Sequence, residues 1–404
     1  MKKFLTYIFF LTFIFFNQAN AITNFKYPEK PIDANFCQNL LDQLNSSHFP
    51  YDSEEPFKTN INLLIEDVSE IDGKNLEFSA FFNLYIDWID PRVGEVLKNL
   101  NMYEDAEKPT WLCDYEPGSV WGKERKVFDP VIEFFNRKSK PNFQTGLVDW
   151  VEIFSNGTVG TRVRDNAKFK SVEFNFRKFP FDRQILTFEL WSEFPSFMIS
   201  LEPAEPAMSE YKNTLYNFAG EDGINIPGWN LKNVSYETYE YVDPTDNYPY
   251  KGFILNLEVE RLWGYYVYKI ILPIMFIWAI SWSVFWVRGS QIDAKVNITI
   301  VCLLALIAYN FIIDEDLPKL SYLTFLDSFI LLSYFFTGIA TVLCVYSYVR
   351  HTKSGKDLTI VDEKAHFYGP LLYFVTLIAI SIYFFSIDGV YKGVLSMFGL
   401  LVSN

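Results

Sequence analysis

Seven side chains between residues 293 and 315 fall within about ±40° of one line when the segment is placed on an α-helix of about 100° per residue. They are Asp293, Asn297, Val301, Leu304, Ala308, Phe311 and Glu315. In a ring of such helices, the terminal carboxylates would attract cations, and the apolar middle would shed water and stop ions. Alternatively, the line packs against neighbouring helices and its charges end the span at the membrane surface. The line alone favours neither interpretation.

The helix that carries this line is one of four apolar segments, each long enough to cross a bilayer. The segments are residues 265–287, 296–313, 320–349 and 367–387. Basic residues follow the first segment at Arg288 and the third at Arg350, which assigns these two links to the cytoplasm. The acidic residues 314–316 then lie on the opposite side, with both termini. We expect a multi-pass protein in contact with membrane lipid, and we assign no role to its tail at 388–404.

Residues 1–21 have the features of a secretory signal peptide. Lys2 and Lys3 precede an apolar run, and Ala19–Ala21 supplies a small-residue cleavage site. The alternative is a retained first membrane helix, for which the run is short. Cleavage would leave the first half of the mature chain in the periplasm, anchored in the bacterial inner membrane.

Residues 57–260 alternate apolar and polar residues in short runs between turn signals, a pattern that predicts β-strands. The predicted strands are residues 60–63, 76–88, 147–153, 170–176, 185–191 and 253–259. Residues 116–128 and 202–229 are predicted as long loops, and residues 22–56 as an N-terminal extension with a short helix at 37–44. The predicted fold is an antiparallel β-sandwich followed by the four-helix membrane domain, residues 261–387.

The net charge of −14 comes mainly from the exported half of the chain. An acidic surface disfavours nucleic acid and anionic ligands, and it concentrates cations. His48 is the only histidine of that half, which argues against a histidine-rich metal site or a Ser-His-Asp hydrolase. The sequence contains no nucleophile elbow, metal-ligand spacing or phosphate-binding loop. We therefore expect neither an enzyme nor a bound cofactor.

Two of the four cysteines, Cys37 and Cys113, lie in the exported half, where disulfides persist. A bridge between them is possible, but sequence spacing leaves it open. Cys302 and Cys344 lie inside apolar segments and are expected to be packing residues.

Five motifs resemble those of pentameric ligand-gated ion channels, the Cys-loop receptor superfamily, and they occur in the same order. They are Trp88–Val93 (Trp-x-Asp-x-Arg), Phe179–Gln184 (Phe-Pro-Phe-Asp-x-Gln), Arg261 with Ile271–Pro273, Ser281–Trp286, and Leu317–Lys319. The resemblance implies a homopentamer in which the helix that carries the line from Asp293 to Glu315 lines an ion pore. Val172 and Leu186 stand where animal receptors have the loop cysteines, which places the chain with the prokaryotic branch.

The resemblance also implies an agonist site between neighbouring subunits. The residues that fall at its positions are Tyr250, Tyr241, Glu193, Phe194, Asn83 and Trp121. Tyrosines beside a carboxylate suit a small organic cation, because aromatic faces attract ammonium groups. Protons are the rival agonist, given the many carboxylates, and a third interpretation is that the tyrosines only line a subunit interface.

A coupling cluster is implied where the sandwich meets the membrane domain. The resemblance brings Asp72, Asp182 and Arg261 together, facing Pro318 and Lys319. Such a cluster would transmit opening from sandwich to pore, or it would only hold the two domains together.

Ion selectivity is read from the start of the second apolar segment. Asp293-Ala294-Lys295-Val296 is close to the Pro-Ala-Arg-Val of the family's anion channels, but Asp293 replaces the proline and restores negative charge. We therefore expect permeant cations, with an anion-selective channel and a non-conducting periplasmic receptor as alternatives.

Overall fold

A computed structural model of the chain describes residues 32, 35–44, 56–105, 109–115, 127–128, 130–138, 150–171, 174–203, 226–287, 291–313, 318–354 and 359–397. The predicted signal peptide, the end of the tail, and Trp121, Val172 and Glu315 lie outside the described residues.

The described part of the exported half contains ten strands in two packed sheets. They are β1 (Phe57–Asp72), β2 (Glu77–Ile89), β3 (Trp111–Tyr115), β4 (Ile132–Phe134), β5 (Trp150–Phe154), β6 (Thr158–Lys170), β7 (Arg183–Ser192), β8 (Ile199–Pro203), β9 (Trp229–Val242) and β10 (Pro249–Arg261). One sheet has the order β3-β5-β6-β2-β1-β8 and the other β4-β7-β10-β9. All pairs are antiparallel except β1 with β8, which run parallel. The predicted sandwich is confirmed, with this one departure from antiparallel pairing.

One strand prediction was wrong, and five strands were not predicted, namely β3, β4, β6, β8 and β9. The predicted strand at 170–176 is not a strand: β6 ends at Lys170, and residues 174–182 form a loop. Strand β9 was not predicted at all. Its side chains are exposed at most positions, so it lacks the apolar alternation that marks the other strands.

Phenylalanines fill the space between the sheets. Phe78, Phe82, Phe169 and Phe188 are fully buried, and their ring centroids lie 4.9–5.8 Å apart in edge-to-face and stacked pairs. Such aromatic pairs add to the free energy gained by burying the rings. The packed core gives the sandwich rigid walls on which surface side chains can be positioned.

A short helix from the predicted extension closes the sandwich. Helix α1 (Phe36–Gln43) places Leu40 and Leu41 in the core, and a disulfide joins Cys37 to Cys113 on β3 with a Cα–Cα distance of 5.9 Å. Helix α2 (Pro91–Asn99) follows β2 and begins at Asp90, whose carboxylate accepts the Arg92 backbone N–H.

Four helices of the described residues are long and apolar enough to cross a membrane. They are α3 (Gly264–Trp286), α4 (Ile292–Ile313), α5 (Phe325–Ser354) and α6 (Thr359–Met397). Helix α3 passes through one π-helical turn at Val267–Ile271, just before Pro273, whose nitrogen has no hydrogen to donate. Helix α6 is the least buried of the four, so it lies on the outside of the bundle.

Candidate functional site

Helix α4 presents the predicted line of side chains to the outside of the subunit. Asp293, Asn297 and Ala308 are exposed, and Val301 and Leu304 are 64% and 59% exposed despite being apolar. The opposite side of the helix is buried against the other helices through Lys295, Thr299, Cys302 and Leu306. The line is therefore not packed within its own subunit and is available to line a pore. Phe311 continues the helix, but its side chain lies outside the described part.

Three aromatic rings cluster on the outer surface of the sheet β4-β7-β10-β9. Tyr241 and Tyr250 are cross-strand partners whose stacked ring centroids lie 5.7 Å apart. Trp191 on β7 lies 6.2 Å from the Tyr241 ring and 6.1 Å from the Tyr250 ring. We call Trp191, Tyr241 and Tyr250 the aromatic cluster. Rings that meet in this way offer several electron-rich faces to one cation.

Tyr239 extends the aromatic cluster on one side, with its ring centroid 6.3 Å from that of Tyr241. Gly252 makes this possible: a Cβ at that position would lie only 2.3 Å from two atoms of the Tyr239 ring. The Tyr239 hydroxyl donates a hydrogen bond to the Glu189 carboxylate. Burial, followed by this bond, raises the pKa of Tyr239, which therefore stays neutral beside the Glu189 carboxylate.

A second carboxylate lies on the turn between β9 and β10. The Tyr250 hydroxyl donates to Asp246 Oδ2 at 2.6 Å, and this bond is the largest of the causes that raise the pKa of Tyr250 to about 12. Burial and the nearby Asp243 also raise the pKa of Tyr241. The aromatic cluster is thus neutral and has carboxylates at two edges, an arrangement that suits a cation.

The other predicted agonist residues are not part of this cluster. Glu193 is exposed on the turn after β7, while Phe194 packs against Phe128 with ring centroids 5.6 Å apart. Asn83 lies on the outward face of β2, where it is 1% exposed and its side-chain amide donates to Glu66.

Trp191 was missed at the sequence level, where the family resemblance pointed two residues further on, to Glu193. The signal that could have found it is the alternation of β7. Residues with even numbers from Gln184 to Ser192 are buried, so Glu189 and Trp191 face outward on the same row.

Arg261, at the end of β10, is joined to Asp182 by two hydrogen bonds. Its Nε lies 2.7 Å from Oδ1 and its Nη2 lies 3.1 Å from Oδ2, while Asp182 is 1% exposed. The guanidinium also lies over the rings of Trp229 and Phe179, 4.1 and 4.8 Å from their centroids. A bidentate pair held between aromatic rings fixes the end of the sandwich directly above α3.

The loop 174–182 enters the membrane domain. Phe176 and Phe179 are buried in the core formed by the membrane helices. Backbone N–H groups of Phe325 and Leu326, at the start of α5, donate to the carbonyl oxygens of Arg177 and Phe179 at 2.9 and 3.2 Å. Main-chain hydrogen bonds therefore connect this loop to α5.

The predicted coupling cluster is only partly assembled. Asp182 and Arg261 meet, but the Asp72 carboxylate accepts hydrogen bonds from the Asn75 backbone and side chain, within its own turn. Within one subunit, Asp72 is thus paired inside its own turn, and its place in the coupling cluster stays a prediction. Pro318 is half-buried and Lys319 is exposed, just before α5.

A pair of carboxylates lies on the outward face of the other sheet. Burial, with a smaller effect from Glu152 on β5, raises the pKa of Asp87 on β2 to about 7. Burial also raises the pKa of Glu152, which Arg162 on β6 opposes and Asp114 on β3 reinforces. In the described residues, no group of three or more histidine, cysteine or acidic side chains could hold a metal ion.

Comparison with known proteins agrees with this architecture. The profile described as the neurotransmitter-gated ion-channel ligand binding domain matches residues 33–262, and the profile for the transmembrane region of the same channels matches residues 270–366. The first match alone covers more than half of the chain.

Individual relatives are distant. A proton-gated ion channel of Gloeobacter violaceus is 23% identical over 82% of this chain and 85% of its own length. The pH-sensitive chloride channel 2 of Drosophila melanogaster is 27% identical over 68% of this chain and 50% of its own length. The gamma-aminobutyric acid receptor subunit theta of Mus musculus is 23% identical over 76% of this chain and 45% of its own length. The chain thus spans about half the length of these two animal relatives.

The matched profiles, the sandwich and the four membrane helices agree with one another. Members of the matched family are pentameric ion channels and are not enzymes. This chain belongs to the neurotransmitter-gated ion-channel family, with an extracellular ligand-binding sandwich on a four-helix membrane domain.

Proposed function

We propose that the chain is one subunit of a homopentameric, cation-selective channel that a small organic cation opens from outside the membrane. We place it in the prokaryotic branch of the family and in a bacterial inner membrane. The observation that carries the proposal is the aromatic cluster of Trp191, Tyr241 and Tyr250, because neutral rings edged by carboxylates favour an ammonium group.

The agonist is proposed to bind against the aromatic cluster, with Glu189 and Asp246 as counter-charges. Each subunit carries a whole aromatic cluster on its β7, β9 and β10, and we propose that the neighbouring subunit closes the site. Binding opens the pore only if the open form binds the agonist more tightly, and five such sites add their preferences.

The test is to record currents from reconstituted protein under a sodium chloride gradient while small amines are applied. For the agonist found, Tyr250→Ala should raise the half-maximal concentration at least about tenfold, or about 1.4 kcal/mol of binding, and leave the reversal potential unchanged. Tyr236→Ala is the matched control, since Tyr236 is an exposed tyrosine of the same sheet that stacks on Phe253, outside the cluster.

A wild-type concentration dependence in Tyr250→Ala would remove the cluster from the agonist site. A reversal potential equal to the chloride potential would overturn cation selectivity in favour of an anion channel. The absence of current with every amine and at every pH would favour a non-conducting receptor.

Cation selectivity is supported by the start of α4. Asp293 is exposed, whereas Lys295, the residue that resembles the family's anion channels, is 2% exposed and faces the other helices. A ring of Asp293 carboxylates would therefore dominate the field at the inner mouth and favour cations.

Protons are the second candidate agonist. The supporting observation is the Asp87 and Glu152 pair, where the pKa of Asp87 is raised to about 7, so that its charge changes near neutral pH. Two of the relatives carry names that describe proton gating or pH sensitivity.

If protons act at this pair, Asp87→Asn should abolish the part of the pH response that is centred near neutrality, because the amide cannot ionise. The raised pKa also means that the ionised Asp87 destabilises the folded state as pH rises from about 4 to about 7. Asp87→Asn should therefore raise the unfolding temperature at pH 8 but not at pH 4. Glu70→Gln, on the neighbouring strand β1 and 60% exposed beside Lys168, is the control. An unchanged pH response would exclude this pair.

A further inference from the structure

A buried ion pair joins the innermost helix to the outermost helix. Lys295 Nζ on α4 lies 2.7 Å from Asp362 Oδ2 on α6, and the two side chains are only 3% and 10% exposed. It lies near the first residue of α4, at the end of the bundle that the basic links assign to the cytoplasm.

Each charge of this pair depends on the other. The second oxygen of Asp362 is buried and accepts no hydrogen bond from the described residues. A buried carboxylate or ammonium that loses its partner is strongly destabilised, and a lysine with a flexible stem then turns towards water. Removing Asp362 would therefore leave a lysine charge that no carboxylate neutralises, and the ammonium can escape burial only by turning towards water.

The inner mouth is the place where that charge would act. Lys295 is two residues after the exposed Asp293 and points to the opposite side of α4. If the ammonium turned to the water at the mouth, five positive charges would oppose the Asp293 ring. If the Lys295 ammonium stayed in place without Asp362, its positive charge would no longer be neutralised. The five charges would then act on ions at the mouth through the low-dielectric interior of the protein.

We propose that Asp362 is a positioning residue for ion selectivity. From the outer helix it holds and neutralises Lys295, so that Asp293 alone sets the sign of the inner mouth. This inference rests on the proposed cation channel. It gives α6 an influence on ion selectivity although α6 does not line the pore.

The experiment measures the sodium-to-chloride permeability ratio from reversal potentials in a salt gradient. Asp362→Asn should lower the ratio roughly tenfold, because a ring of like charges acts on each ion at short range. The double variant Lys295→Gln/Asp362→Asn removes both charges and should restore the wild-type ratio. Glu363→Gln is the matched control, since Glu363 is the adjacent, exposed carboxylate on the same helix.

An unchanged ratio in Asp362→Asn, or a double variant that shifts as far as the single one, would overturn the proposal. If Asp362→Asn does not assemble, the double variant decides: a ratio equal to that of wild type supports a neutralised pair, and a shifted ratio refutes it. A wild-type channel that is itself chloride-selective would overturn the proposed selectivity, while the comparison of single and double variants would still decide the role of Asp362. A wild-type protein without current would refute both.

Discussion

One guanidinium, that of Arg261, connects the last strand of the sandwich to the loop that enters the membrane domain. Its bidentate pair with Asp182 is almost completely buried, and Trp229 and Phe179 cover it from two sides. Buried pairs of this kind are worth little relative to an apolar replacement, but they are costly to break on one side only. The junction is therefore sensitive to the loss of either charge.

Asp182→Asn should leave the Arg261 charge without its counter-ion, at a cost of about 3–5 kcal/mol. We expect agonist-evoked current per assembled channel to fall at least about tenfold, with little change in agonist binding at the aromatic cluster. The measurement is current together with radioligand or calorimetric binding on the same purified protein.

The adjacent Arg183 supplies the comparison. It pairs with Glu258 and Glu260 while 59% exposed, and exposed pairs contribute about 0–1 kcal/mol. Arg183→Gln should therefore gate normally. If Asp182→Asn also gated normally, the pair would serve only to hold the domains together.

At the scale of elements, the pore helix combines two surfaces of different character. Its exposed line carries Val301 and Leu304, whereas its buried side carries Cys302 and Leu306. An apolar ring keeps water out of the pore until the ring widens. A polar substitution on the exposed line should therefore change channel opening, whereas one on the buried side should not.

Leu304→Ser should make the apolar ring easier to wet and shift the channel towards opening. We expect a larger resting current and a half-maximal agonist concentration lowered about tenfold, measured in the same recordings. Cys302→Ser introduces the same hydroxyl on the buried side and should leave both quantities near wild type. Equal effects of the two variants would argue against a gate at Leu304.

Strands could be predicted where buried and exposed side chains alternate along them, and not where most side chains are exposed. Strands β7 and β10 alternate buried and exposed side chains, and both were predicted, although β10 begins four residues before the predicted strand. Strand β9 exposes most of its side chains, so no alternation reveals it. The alternation of Phe174 and Phe176 was genuine, but these rings pack at the membrane junction rather than in a sheet.

The candidate site could be predicted only in part, for a similar reason. Tyr241 and Tyr250 were assigned from the family resemblance by counting back from Arg261, and the pairing of β9 with β10 places them side by side. Trp191 comes from a different strand, and its place beside them depends on the pairing of β7 with β10. The burial of Lys295 against Asp362 likewise depends on a contact between segments 67 residues apart.

At the scale of the whole molecule, the N-terminal helix is a part of the sandwich rather than an appendage. The disulfide from Cys37 to Cys113 closes a loop of 76 residues, and Leu40 and Leu41 lie in the common core. A crosslink over such a loop stabilises the folded state chiefly by restricting the unfolded chain.

Cys113→Ser should lower the free energy of unfolding of the sandwich by about 2–4 kcal/mol. Thermal unfolding of the purified channel, with and without reductant, measures the effect: reductant should lower the transition of the wild type and not that of the variant. Cys344→Ser, at a free and buried cysteine in α5, should leave the sensitivity to reductant intact. If the unfolding temperature of the wild type were the same with and without reductant, even after unfolding and refolding in reductant, this role would be contradicted.

The main-chain hydrogen bonds from the start of α5 to Arg177 and Phe179 have a practical consequence for building chimeras. Exchanging the sandwich for that of another channel at the single boundary after Arg261 would graft a foreign 174–182 loop onto the native α5. The two backbones would then have to match without having been selected together. A hybrid that takes both the 174–182 loop and the membrane helices from the same parent would keep these hydrogen bonds. The membrane module of a chimera therefore needs two separate segments of the chain, the loop at 174–182 and the residues after Arg261.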